Sequence, residues 1–123
     1  MDRVSDMQKL ALAVREFCGE RDWDQFHSSK ELAIGLVTEA SELLAEFRFL
    51  SLDQCQAAVE SPGHRSLIGQ ELADVFFFLL RFSDRFGFDL EAELKKKMAL
   101  NAEKYPIAEF RGRNHKYNRD PIK

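Results

Sequence analysis

Two short acidic signatures carry the chemistry this sequence offers. Glu39-Ala40-Ser41-Glu42 and Glu71-Leu72-Ala73-Asp74 each set two carboxylates three residues apart. On a helix, that spacing puts both carboxylates of a pair on one face. Glu46 falls on the same face as Glu39 and Glu42, and Gly35, one turn earlier, leaves room beside it. Like charges so placed repel by about 0.2–0.5 kcal/mol when solvated. The cost rises where charge is taken out of water. Glu71 and Asp74 stand at the entrance to Val75-Phe76-Phe77-Phe78-Leu79-Leu80, where some burial is hard to avoid. Four partly buried carboxylates require a compensating cation. Oxygen-only ligands select a hard ion, so Mg²⁺, or alternatively Mn²⁺, fits better than zinc or copper. The same spacing also suits two unrelated acidic faces in solvent, and spacing alone does not decide between them. A di-iron bundle would need Glu-x-x-His on two helices. None of His27, His64 and His115 follows a Glu by three residues.

The elements that must hold these groups are helical. Met7, Leu10, Ala11, Val14 and Phe17/Cys18 recur with helical period, predicting an amphipathic helix over 5–18 that Gly19 ends. A polar, aromatic loop follows, Glu20 to His27. Ser28 with Glu31 has a capping-box pattern and opens a second helix running to about Phe49, with Leu32, Leu36, Ala40, Leu43 and Phe47 on its apolar face. Ser51 with Gln54 predicts a short helix through about Glu60, and Ser61-Pro62-Gly63-His64 a turn. The most hydrophobic helix spans 66–86, apolar all round at its centre, with Gly87 at its C-cap. Such a helix is buried on several sides, which in a small chain suggests another subunit as well as its own core. Asp89 caps a last helix over 90–104, and Pro106 stops it. The fold class is an all-α bundle of four principal helices plus a short connecting helix, oligomeric.

Size and composition agree. A chain of 123 residues, 45% hydrophobic and with 11 Phe, is one domain able to bury a core without disulfides. Cys18 and Cys55 form no CxxC or Cys/His cluster and read as ordinary reduced thiols. No apolar run approaches the ~20 residues of a membrane span. The N-terminus shows no signal-peptide pattern, so a cytoplasmic protein is expected. A net charge of −3 exerts no global pull on nucleic acid. Residues 106–123 carry Arg111, Arg113, Lys116, Arg119 and Lys123 against Glu109 and Asp120, a local +3. We therefore separate a domain over 1–110 from a basic tail over 111–123; the tail either reaches toward a polyphosphate or is merely solvated.

The motif Glu39-x-x-Glu42, a 28-residue gap, then Glu71-x-x-Asp74 resembles that of the all-α nucleotide pyrophosphohydrolases, the MazG-like group. Arg21-Asp22-Trp23-Asp24-Gln25-Phe26-His27 and Asn101-x-x-Lys104-Tyr105-Pro106 resemble the dCTP pyrophosphatase branch of that group. The resemblance covers about residues 7–118. It implies hydrolysis of a (deoxy)nucleoside triphosphate, dCTP or a modified dCTP, to the monophosphate and pyrophosphate. It implies that Glu39, Glu42, Glu71 and Asp74 hold Mg²⁺, and that one of them orients the attacking water. It places Trp23 and His27 around base and sugar, and Asn101 and Tyr105 near the nucleotide. It also implies a homodimer or homotetramer with shared sites. Trp23 offers a stacking face, worth about 1–3 kcal/mol per base in nucleic-acid sites. Lys97 and Lys104 are candidates for phosphate contact. Trp23 as a core residue, His27 as a cap, and Asn101 and Tyr105 as closers of the last helix remain alternatives.

One departure is Phe49, where that branch carries a second Trp; Phe keeps a π-face but no N–H donor, which leaves the base preference open. Arg81 and Arg85 fall on roughly the same face as Glu71 and Asp74, placed to pair with those acids or to meet phosphate. Two rival functions stand beside hydrolysis of dCTP: a non-catalytic helical oligomer that binds nucleotide or a partner protein, and a same-fold enzyme acting on dUTP or phosphoribosyl-ATP.

Overall fold

Serine caps and glycine exits set the boundaries of a wholly helical architecture. The computed structural model describes residues 4–122. Residues 1–3 at the N-terminus, where no signal-peptide pattern is expected, and Lys123 of the basic tail lie outside the described residues. Among those described, the elements are α1 (Asp6–Glu20), a 3-10 turn (Asp24–Phe26), α2 (Ser29–Ala45), α3 (Leu52–Glu60), α4 (Pro62–Phe86), α5 (Leu90–Lys104) and α6 (Ile107–Phe110). No strand occurs among the described residues, as the periodicity predicts.

Ser5 and Ser51 each accept from the N–H three residues on, Gln8 and Gln54, and both glutamines return the bond to the cap N–H. Ser28 makes only the first half, accepting from the Glu31 N–H at 3.2 Å. Three boundaries differ from expectation. Gly19 does not end α1; the helix continues to Glu20, the Arg21 and Asp22 N–H groups donate to the Cys18 and Gly19 carbonyls respectively, and Asp22 makes the reversal with φ 54°. Residues 61–64 are not a free turn, because Pro62 occupies the first helical position of α4, where its missing N–H has no partner to lose. α2 ends at Ala45, and Glu46 and Phe47 continue as tightened turns bonded to Leu43 and Leu44 carbonyls.

The chain divides into two compact units, Met1–Phe88 and Asp89–Lys123. In the first, α1, α2 and α3 all pack on α4. Its buried apolar side chains are Cys18, Leu32, Ala58, Ile68 and Leu80. Phe17, Trp23, Phe77 and Phe78 form an edge-to-face chain, with centroids 5.6 Å apart for Phe17–Trp23, 6.0 Å for Phe17–Phe77 and 5.5 Å for Phe77–Phe78. Each such pair adds about 0.5–1.5 kcal/mol beyond area burial. Within the second unit, Asp89 caps α5 by accepting from the Ala92 N–H, and Tyr105 closes it by donating to the Asn101 carbonyl at 2.8 Å. Tyr105 then packs on Phe110 and Tyr117, at 4.8 and 5.7 Å between centroids.

α2 and α4 pack tightly at Gly35. A Cβ there would come under 3.0 Å from three atoms of the Phe78 ring, which is a rigid neighbour. Gly35→Ala should therefore destabilise by about 1–3 kcal/mol through overpacking, despite the better helix propensity of Ala. Gly69, in α4, has nothing within 4 Å of a built Cβ, and Gly69→Ala should stabilise by up to about 1 kcal/mol. Denaturant midpoints of the two variants check the contrast; equal shifts would contradict a tight α2–α4 contact.

Candidate functional site

The Gly35–Phe78 contact lies one turn from the acidic motifs on both helices. Beyond it, one oxygen from each of Glu39, Glu42, Glu71 and Asp74 lies within 4.8 Å of the others. Glu39 and Glu71 are half-buried, whereas Glu42 and Asp74 are exposed. Glu39 Oε2 and Glu71 Oε2 are shut off from solvent and have no hydrogen-bond partner. A buried carboxylate oxygen without a donor is costly. Burial pushes the Glu39 carboxyl up to about 7, with Glu42, Asp74 and Glu71 adding repulsion. Burial also raises Glu71, reinforced by Glu42, Asp74 and Glu46. These four residues can hold a cation. The donors are all oxygen, the charge is uncompensated, and two lone-pair sites are buried without a partner.

A second cluster lies in the loop between α1 and α2, held by the C-terminal half of α4. Arg81 is 1% exposed. Its Nε donates to His27 Nδ1 at 2.8 Å, and its Nη2 donates to the Asp24 carboxylate. Arg85, one turn on, donates to the His27 and Asp24 carbonyls at 3.2 and 3.1 Å. Both arginines therefore pair with the loop and not with the four acids or, in this chain, with a free phosphate subsite. A buried guanidinium needs acceptors, and the loop supplies Arg81 with a carboxylate and an imidazole, while the exposed Arg85 takes two carbonyls. The Arg81 guanidinium holds the Asp24 carboxyl below the usual carboxylate range. Burial, then Arg81 and Arg85, lower the His27 imidazole. Trp23 begins this loop, 37% exposed, with its ring 6.3 Å from that of His27. Sequence reasoning saw Arg81 and Arg85 on the right face but not their partners. The available signal was an arginine one residue after the apolar run Val75–Leu80, which can be buried only against strong acceptors.

The other expected residues are placed less tightly. Phe49 is 85% exposed, with the Arg48 guanidinium 4.8 Å from its ring centre. Lys97 is exposed on α5. Asn101 is half-buried there and serves the cap of Tyr105 through its carbonyl. Lys104 Nζ lies 5.1 Å from the Tyr117 ring centre. The Tyr105 hydroxyl accepts from the Tyr117 N–H at 3.4 Å, so it takes part in closing this unit. Cys18 and Cys55 are free thiols.

The packed helices and the acidic pairs on them define the class. The MazG-like family profile matches residues 34–119, and the chain belongs to that family. Among its relatives is dCTP pyrophosphatase 1 of Rattus norvegicus, 35% identical over 102 residues, covering 83% of this chain and 60% of the relative. The Homo sapiens protein of the same name is 34% identical over 106 residues, covering 86% and 62%. The chain thus spans about 60% of the length of these curated relatives. A crystal structure of a pyrophosphatase from Archaeoglobus fulgidus superposes with a TM-score of 0.79 at 31% identity, covering 86% of this chain and 97% of that one.

The charge crowding has a pH signature. The folded-state Glu39 carboxyl is raised from 4.5 to about 7, so its contribution to stability is full below 4.5 and is lost as pH rises through about 7. In chelator-treated protein, stability should therefore fall between about pH 4.5 and about pH 7. Glu39→Gln should flatten that slope and be the more stable protein at about pH 8. Urea titrations of both proteins across this range check it; parallel slopes would show that Glu39 ionises freely.

Proposed function

We propose that the protein is a metal-dependent nucleoside triphosphate pyrophosphohydrolase, converting dCTP or a modified dCTP to the monophosphate and pyrophosphate. The observation that carries this reading is the convergence of four carboxylates from two helices, with two buried oxygens unpartnered. The named relatives and the structural neighbour support it. Glu39, Glu42, Glu71 and Asp74 are the residues to hold Mg²⁺, with Mn²⁺ as substitute. When bound, such an ion would supply charge neutralisation on the triphosphate and an acidified water.

The remaining work falls to the chain's own groups. One of the four carboxylates orients the water toward the α-phosphorus and takes its proton. An oxygen–phosphorus bond forms there as the bond to the pyrophosphate oxygen breaks. Trp23 offers its half-exposed indole face to the base, and His27 its ring edge to base or sugar. Phe49, wholly open, is free to add a second π-face. Lys97 and Lys104 serve the phosphates, and Asn101 and Tyr105 the nucleotide. Residues 1–110 form the catalytic domain on this reading, with 111–123 a basic tail.

The same reading includes a cytoplasmic homodimer or homotetramer. No helix among the described residues is long and apolar enough to cross a membrane. Leu72, Phe76 and Leu79 of α4 remain 53%, 37% and 38% exposed, apolar surface that a second copy would cover.

Three measurements test the function. Pyrophosphate release from a dNTP panel should require Mg²⁺ and be fastest with a cytosine nucleotide; tight binding without turnover would favour a binding module, and preference for another base a different enzyme of this fold. Glu71→Gln should cut turnover by at least about a hundredfold while the helical spectrum survives; unchanged turnover contradicts the metal role. Trp23→Ala should raise KM about tenfold or more, the loss expected for one base stack, with a smaller effect on kcat. An unchanged KM assigns Trp23 to the aromatic core.

A further inference from the structure

Arg81 is the most buried charged side chain among the described residues, and its ion pair is with Asp24, not with the acidic cluster. The two groups it anchors, His27 Nδ1 and the Asp24 carboxylate, fix more than loop position. A guanidinium Nε always carries hydrogen and never accepts. At 2.8 Å from Arg81 Nε, the His27 Nδ1 must therefore present its lone pair. The neutral imidazole then carries its single proton on Nε2. Protonating Nδ1 would set two donors against each other and add a third cation beside Arg81 and Arg85. Asp24 is the carboxylate beside the His27 ring and its oxygen is already engaged by Arg81, while Asp84, which faces Arg81 on α4, is itself paired with Arg15. Cys18, packed nearby on α1, is fully buried with its thiol pushed up by that burial, so it adds no charge. No hydrogen bond links His27 Nε2 to another described residue, and the ring is half-buried beside Trp23.

We propose that Arg81 is a positioning residue that holds His27 as the neutral Nε2–H tautomer, so that the nucleotide pocket offers a fixed hydrogen-bond donor to an acceptor atom of the base or sugar. This rests on the reading of Trp23 and His27 as nucleotide-binding residues. The pocket then selects a carbonyl oxygen, an unprotonated ring nitrogen or a sugar oxygen at this point and disfavours an exocyclic amino group. The donor persists below the pH at which a free histidine would become a cation. Arg85 contributes by tying the backbone carbonyls on either side, which keeps the imidazole from rotating away with its loop.

The direct readout is the long-range ¹H–¹⁵N spectrum of the histidine ring in the full-length labelled protein, assigned by its loss in His27→Phe. Wild type should show a bare Nδ1 and a protonated Nε2 at neutral pH, persisting below the pH at which an ordinary histidine becomes a cation. A protonated Nδ1 at neutral pH, or a ring that titrates like an ordinary histidine, overturns the proposal. Arg81→Met should give mixed tautomers and an ordinary titration. It should raise nucleotide KM about tenfold with kcat changed less than about threefold, the pattern of a lost ligand hydrogen bond. In the His27→Phe background, Arg81→Met should add no further KM rise; an independent, multiplying rise would show that Arg81 acts through the fold. Should Arg81→Met fail to fold, Arg81→Lys, which lacks the fork, takes its place, and the wild-type spectrum still decides the tautomer. Wild-type protein that neither binds nor hydrolyses any nucleotide overturns the functional reading and the ligand role together. The tautomer, read in that same sample, separates that failure from a failure of Arg81 to hold His27.

Discussion

Everything at the acidic site depends on α2 and α4 lying close enough for like charges to meet. Carboxylates do not converge unaided; the helices are held by apolar packing that outweighs their repulsion. Gly35 is a point of close approach, where a missing side chain lets the Phe78 ring sit against the α2 backbone. One turn away on each helix, carboxylates from both helices come together. The energy of the contact is thus spent on holding Glu39 and Glu71 in a place they would leave if free. Their raised proton affinity is the local measure of that tension. A divalent cation relieves it more fully than a proton, because one ion can answer several carboxylates at once.

How much of this was legible in the sequence follows from which interactions are local. Helix caps are local, and Ser5, Ser51, Asp89 and Gly87 act where their sequence context says they should. The i, i+3 acid pairs are local too, and a helix can place them in only one way. The errors fell at positions where a residue type serves two uses. Gly19 looked like a helix stop but has no need of positive φ, which Asp22 adopts instead. Pro62 looked like a turn residue but begins α4. The pairing of Arg81 with Asp24 and His27 spans more than fifty residues, and no spacing rule reports on it. The family resemblance supplied His27 and Trp23, whereas the geometry supplied what holds them.

α4 therefore does two electrostatic jobs along one stripe. Glu71 and Asp74 lie toward its start, Phe78 in the middle, and Arg81 and Arg85 toward its end. At ~1.5 Å per residue, Asp74 and Arg81 are about 10 Å apart along the axis. The acids face an unmet need for positive charge, and the arginines are held by the α1–α2 loop. Reversing these roles is not open to the chain: arginines facing the acids would satisfy them internally and remove the reason for a metal. Leaving the loop unheld would free Trp23 and His27 to move independently of the carboxylates. One rigid helix instead sets both ends. On the proposed reading, the two ends take opposite parts of one ligand, the phosphates at the acidic end and the base near the loop. The separation then acts as a ruler, and base recognition can bear on phosphate chemistry without any contact between the two groups of residues, because each is fixed to the same helix.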